Sequence, residues 1–146
     1  MASSAVAEPR VSSTCQATPV EGGLERADGS IAPHFVRAGP FRGYISPTYD
    51  IVEGRFRLHV GPYRDRATGL TQKILWLASR RTGAVRSLAI VGNRLAPRPR
   101  RTFRQVFRSS GRTYFPTNIS PPSPGCWQLD LSSGTARGSL VARVDS

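Results

Sequence analysis

Glycine or proline stands at 26 of the 146 positions, fourteen Gly and twelve Pro. Between them, apolar and polar residues alternate over stretches too short for a helix of several turns. Both residues break helices and mark turns, so the pattern predicts short strands joined by tight turns. With 38% hydrophobic residues, a chain of this length can build one core, burying roughly 70% of its unfolded surface, and has little room for two. No stretch approaches the ~18 apolar residues of a membrane-spanning helix.

The strands can be read in order. Over 54–60, Phe56, Leu58 and Val60 share one face, and Arg55, Arg57 and His59 the other. The apolar run ILWL within 72–79 predicts a more deeply buried strand, RRTG at 80–83 a turn, and 84–91 a strand that pairs with it as a hairpin and is closed by Gly92 and Asn93. Residues 94–101, RLAPRPRR, are too proline-rich for the middle of a sheet. Thr102–Arg108 alternates again, Phe103 and Phe107 against Arg104 and Arg108, although Phe103, Val106 and Phe107 also fit a helical turn. Segments 113–118, 126–131 and 139–144 complete the set, with Trp76 and Trp127 assigned to the core.

Short strands separated by turn signals every ~8–12 residues predict an all-β fold: an antiparallel β-sandwich of about seven to nine strands, with a small β-barrel as the alternative. Residues 1–14 are expected to be a disordered tail, and 15–146 a single domain. Its first part, 15–50, should be loop-rich, with one or two short edge strands.

Charge bounds the partners. Twenty-one basic residues against nine acidic ones give +12, and all the bases but Lys73 are arginine. From Arg66 to Arg112 there are twelve bases and no acid. The densest part contains Arg98, Arg100, Arg101, Arg104, Arg108 and Arg112, the candidate anion-binding residues. Pro97 and Pro99 are expected to hold Arg98, Arg100 and Arg101 extended on the surface, where guanidinium forks can grip phosphate, sulfate or carboxylate. An anionic glycan, a lipid surface or an acidic protein is the partner class this implies; a plain solvated face is the other reading of the tract. The alternative function is cytosolic nucleic-acid binding, with Phe103, Phe107, Tyr114 and Phe115 as stacking surfaces, unless those aromatics fill the core.

Nothing in the sequence predicts an enzyme, a cofactor or a metal. The soft-ligand stock of Cys15, Cys126, His34 and His59 lacks the paired spacing of structural zinc sites. There is no G-x-S-x-G elbow and no glycine-rich phosphate loop. Asp50 with Glu53 or Asp65 could form a carboxylate pair, but nine acids in so basic a chain are expected to serve as arginine partners. Asn118-Ile119-Ser120 matches the N-glycosylation triplet, a pattern common by chance.

Cys15 and Cys126 bracket almost the whole predicted domain. A bond between them would close a loop of more than about 100 residues, worth roughly 4–5 kcal/mol in the chain-entropy model; two separate buried thiols are the other possibility. Residues 1–14 contain no apolar stretch of the kind a secretion signal needs. Either a signal lies outside this sequence or the protein is cytosolic. SSTC lacks the upstream apolar residue of a lipidation site, which makes Cys15 a bridge half rather than an anchor.

One segment carries a resemblance. Residues 114–144, YFPTNISPPSPGCWQLDLSSGTARGSLVARV, match a pattern of F-P-T, then P-x-G-C-W, an alternating strand, a glycine turn and a last strand of small and apolar residues. Phe115, Pro116, Thr117, Pro124, Gly125, Cys126 and Trp127 fit it, Cys15 with QATP fits its opening segment, and LAIVGNRLAPRP fits the stretch before its late strands. The chain thereby resembles small bacterial extracytoplasmic Ig-like domains of unknown function over about half its length; residues 37–71 depart from the pattern. The resemblance implies an Ig-like sandwich, a Cys15–Cys126 disulfide, a place outside the cytosol as a secreted or envelope-associated module, and no catalytic chemistry.

Overall fold

A computed structural model describes residues 15–45, 51–69, 71–79, 87–110 and 114–146. The described residues contain ten strands and no helix. In chain order the strands are β1 (His34–Ala38), β2 (Phe41–Ile45), β3 (Ile51–Val52), β4 (Arg55–His59), β5 (Lys73–Ala78), β6 (Ser87–Ala96), β7 (Thr102–Arg108), β8 (Tyr114–Asn118), β9 (Gly125–Ser133) and β10 (Ala136–Asp145). They form a four-stranded sheet, β1-β2-β5-β8, and a six-stranded sheet, β3-β4-β10-β9-β6-β7. The two sheets do not close on each other, so the fold is a β-sandwich and not a barrel. Nine strands exceed two residues, and β3 makes the tenth.

Strict alternation drives this arrangement, because each strand has one apolar face that must be covered. Val36, Ala38, Phe41, Ile45, Ile74, Trp76 and Phe115 point inward from the first sheet. Phe56, Leu58, Leu88, Ile90, Trp127, Leu129, Leu131, Leu140, Ala142 and Val144 meet them from the second. Both tryptophans are fully buried, as their sequence context predicts.

Cys15 and Cys126 form a disulfide with their Cα atoms 5.4 Å apart. The segment after Cys15 is wedged between β10 and β4: Thr18 N donates to Val141 O, Phe56 N donates to Thr18 O, and Val141 N donates to the Thr18 hydroxyl.

Several expectations need correction. The strands around ILWL and SLAIV are not a hairpin: β5 pairs with β2 and β8, whereas β6 pairs with β7 and β9 in the other sheet. A turn signal between two apolar strands has the same appearance whether the chain folds back or crosses the sandwich. The turn itself, 80–83, lies outside the described residues, as do the expected tail of 1–14 and Asp50.

Gly92 and Asn93 do not close β6, which continues to Ala96. Gly92 is there because the Phe103 ring lies over it from the paired strand, where a Cβ would overlap the ring. Phe103 in turn meets Trp127 edge-on at 5.3 Å. Thr102–Arg108 is a strand, not a helical turn. One pairing, β4 with β10, is parallel in an otherwise antiparallel structure. At the opposite end, a Cβ on Gly138 of β10 would collide with the Ala38 carbonyl, so the glycine seats the β1–β2 turn against the other sheet.

Candidate anion-binding site

The arginine tract divides between two structural elements. Arg98, Arg100 and Arg101 lie on the loop between β6 and β7, and Arg104 and Arg108 on the solvent face of β7. All five are exposed, and among the described residues none makes an ion pair or a side-chain hydrogen bond. Arg112 lies outside the described residues. The loop is not an extended polyproline run; it bends over 97–99. The bend brings Arg98 and Arg100 to one open groove of about 320 Å³, together with Leu95, Pro97 and the Arg94 side chain. Arg104 and Arg108 stand four strand positions apart, about 13 Å, with exposed Val106 between them.

Other arginines are already engaged. Arg37 pairs with Glu21 at 2.8 Å, and Arg143 and Arg57 share Asp145 at 2.9 and 3.6 Å. Arg55 donates to Ala17 O and Arg64 to Gly69 O. A second hollow of about 240 Å³ shares Pro97 but has Arg143 as its cation, already held by Asp145. The groove at Arg98 and Arg100 is therefore the better anion receptor.

Arg94 is the residue that composition conceals. It is buried, and its guanidinium donates from Nη2 to Pro99 O at 2.9 Å and from Nη1 to the Ser123 hydroxyl at 3.0 Å and Pro124 O at 3.3 Å. It thus fastens the arginine loop to the segment leading into Cys126. Strand parity could have revealed it, since Leu88, Ile90, Gly92 and Arg94 share the inward face of β6. Arg94→Met should lose these charge-assisted bonds and leave two carbonyls short of a donor, lowering stability by about 2–3 kcal/mol in urea denaturation. An unchanged midpoint would show that Arg94 does not hold the loop.

The other polar candidates serve the fold. Cys15 and Cys126 are bonded to each other, and no cluster of three or more potential metal ligands exists among the described residues. Asp65 accepts from the amides of Ala67 and Thr68 and from the Thr68 hydroxyl, which hold its carboxyl below the usual range and build a turn. His59 stacks on Tyr63 with ring centroids 4.0 Å apart, and partial burial with nearby Arg57 lowers its pKa, favouring the neutral ring. The Gln72 side chain is buried; it accepts from His59 N and donates to His59 O and Ile119 O, tying β4 to the end of β8. The proposed stacking aromatics are largely spent on packing: Phe115 is fully buried, Phe103 and Phe107 lie against the core, and only Tyr114 is open, at 46% exposure. Comparison of the chain with family models, curated proteins and solved structures finds no match to any of them.

Proposed function

We propose that this protein is a non-catalytic, extracytoplasmic β-sandwich module that binds an anionic partner through Arg98, Arg100, Arg101, Arg104 and Arg108. The observation that carries the reading is that these five arginines are exposed and uncommitted while Arg37, Arg57 and Arg143 are paired with carboxylates. Guanidinium groups left without internal partners offer forked donors to carboxylate, sulfate or phosphate oxygens. Two observations support a place outside the reducing cytosol: the disulfide and the resemblance of the Pro124–Trp127 region to secreted and envelope-associated Ig-like domains. The alternative of cytosolic nucleic-acid binding is weakened because Phe103, Phe107 and Phe115, which would stack bases, serve the core instead.

Recognition of this kind is dominated by charge and counterion release. With about five contacts, affinity for a sulfated glycan such as heparin should fall on the order of 10²- to 10³-fold between about 50 and 200 mM salt. Replacing Arg98, Arg100 and Arg101 together by Ser should weaken binding and flatten that slope. Tight, salt-independent binding, or a slope unaffected by the triple change, would place recognition elsewhere.

A further inference from the structure

The tract coincides with the one long strand edge that nothing in the described residues covers. Residue Phe35 of β1 exchanges backbone hydrogen bonds with Glu21, so that edge is partly occupied. In β8, Pro116 lacks an N–H, and the carbonyls of Tyr114 and Asn118 accept from Ser110 N and from the Gln105 side-chain Nε2. The strand β3 has two residues. At seven residues, β7 pairs on one side only, with β6.

The direction of its free backbone groups follows from the register. Arg94 N donates to Arg101 O, and the pairing runs from Asn93↔Thr102 to Ser87↔Arg108. Antiparallel pairs alternate between bonded and non-bonded. Phe103, Gln105 and Phe107 therefore turn their N–H and C=O toward β6, while those of Thr102, Arg104, Val106 and Arg108 point out of the sheet. These same residues present the side chains of the solvent face.

We propose that the β7 edge is a strand-addition site for an extended acidic segment of another protein, which pairs with the outward backbone groups of Thr102, Arg104, Val106 and Arg108 while its carboxylates meet Arg104 and Arg108. The inference rests on the tract being an anion-binding surface and adds the geometry by which it binds. Added strands draw affinity from the ladder and selectivity from alternate side chains, and opposite charges directly across a ladder attract while like charges repel. A second copy of this chain laid antiparallel on the edge, centred on Val106, would set Arg104 against Arg108 twice, which disfavours self-pairing. Arginines at this edge thus exclude basic strands and copies of the chain itself and admit acidic ones. The nearby loop adds Arg98, Arg100 and Arg101 and no acid.

The test uses two peptides of equal charge, four Glu-Val repeats and the same sequence N-methylated at every residue, the second having no backbone N–H with which to pair the outward carbonyls of β7. Hydrogen exchange of the whole protein is followed by NMR with each. The unmethylated peptide should bind at least about tenfold more tightly and slow the exchange of the Arg104, Val106 and Arg108 amides by a similar factor. The amides of Phe103, Gln105 and Phe107, already bonded to β6, should not change. Val106→Pro removes an outward N–H without touching the β6 ladder and should equalise the two peptides. Equal binding of both peptides by the unmodified protein would overturn strand addition and leave the charge-based reading standing. Binding of neither at low salt would overturn both, and protection at β1 or β8 instead of β7 would overturn the placement.

Discussion

Reducing the Cys15–Cys126 bond, or replacing Cys126 by Ser, should lower the unfolding free energy by about 4 kcal/mol and the melting temperature by on the order of 10 °C. The bond spans a sequence separation of 111, so its opening frees nearly the whole described chain in the unfolded state. In the folded state it anchors the segment carrying Ala17 and Thr18, whose hydrogen bonds join β10 to β4 where those strands are not directly paired. Loosening Cys15 therefore relaxes the unfolded ensemble and also weakens the seam between β4 and β10. Urea titrations with and without reductant measure the effect. A coincident pair of curves would mean that the bond contributes nothing and that the sandwich stands on its core alone.

Trp127→Ala should cost about 3–5 kcal/mol, the usual range for removing a large buried aromatic. The ring has no exposure, packs edge-on against Phe103, and donates from Nε1 to Ser123 O at 3.0 Å. Its removal leaves a cavity in the core between the sheets and also strips support from Phe103, which covers Gly92. Trp127→Phe retains most of the apolar contact and loses the hydrogen bond, so a loss nearer 1–2 kcal/mol is expected on the order of that bond plus a small cavity. Equal losses for the two variants would place the energetics in the indole N–H rather than in packing.

Strand parity made most of the architecture legible. The inward sets at Phe56-Leu58 and Leu140-Ala142-Val144 can each be read from alternation alone, because burial on one face leaves a period of two in the sequence, whereas the uniformly apolar ILWL run marks a buried strand without showing which of its residues face inward. Strand pairing across the sandwich was not legible in the same way. The β5 and β6 segments are adjacent in sequence and equally apolar, and nothing local distinguishes a hairpin from a crossover. Glycine misleads for a different reason: Gly92 has the look of a strand stop, whereas it makes room for an aromatic side chain eleven residues later in the chain, a long-range requirement with no local mark.

The arginine tract was visible as composition but not as a division of labour. Arg94 belongs to the same run as Arg98, Arg100 and Arg101, yet it faces inward and is consumed in holding the loop, while the others remain open to solvent. The groove formed at Arg98 and Arg100 depends on a bend over 97–99 that the proline spacing suggested would be extended.

The most direct test of the proposed function separates site from net charge. Two variants each lose three positive charges: one has Arg98, Arg100 and Arg101 changed to Ser, the other Arg26, Arg66 and Lys73, which are also exposed. Heparin affinity is measured for both against the unmodified protein at about 100 mM salt, where released counterions still dominate the free energy. Loss of about tenfold or more in the first variant, with at most a small change in the second, is the expected result. Equal losses in the two would contradict the account, because binding would then follow the overall charge of +12 and not a site on the β6–β7 loop.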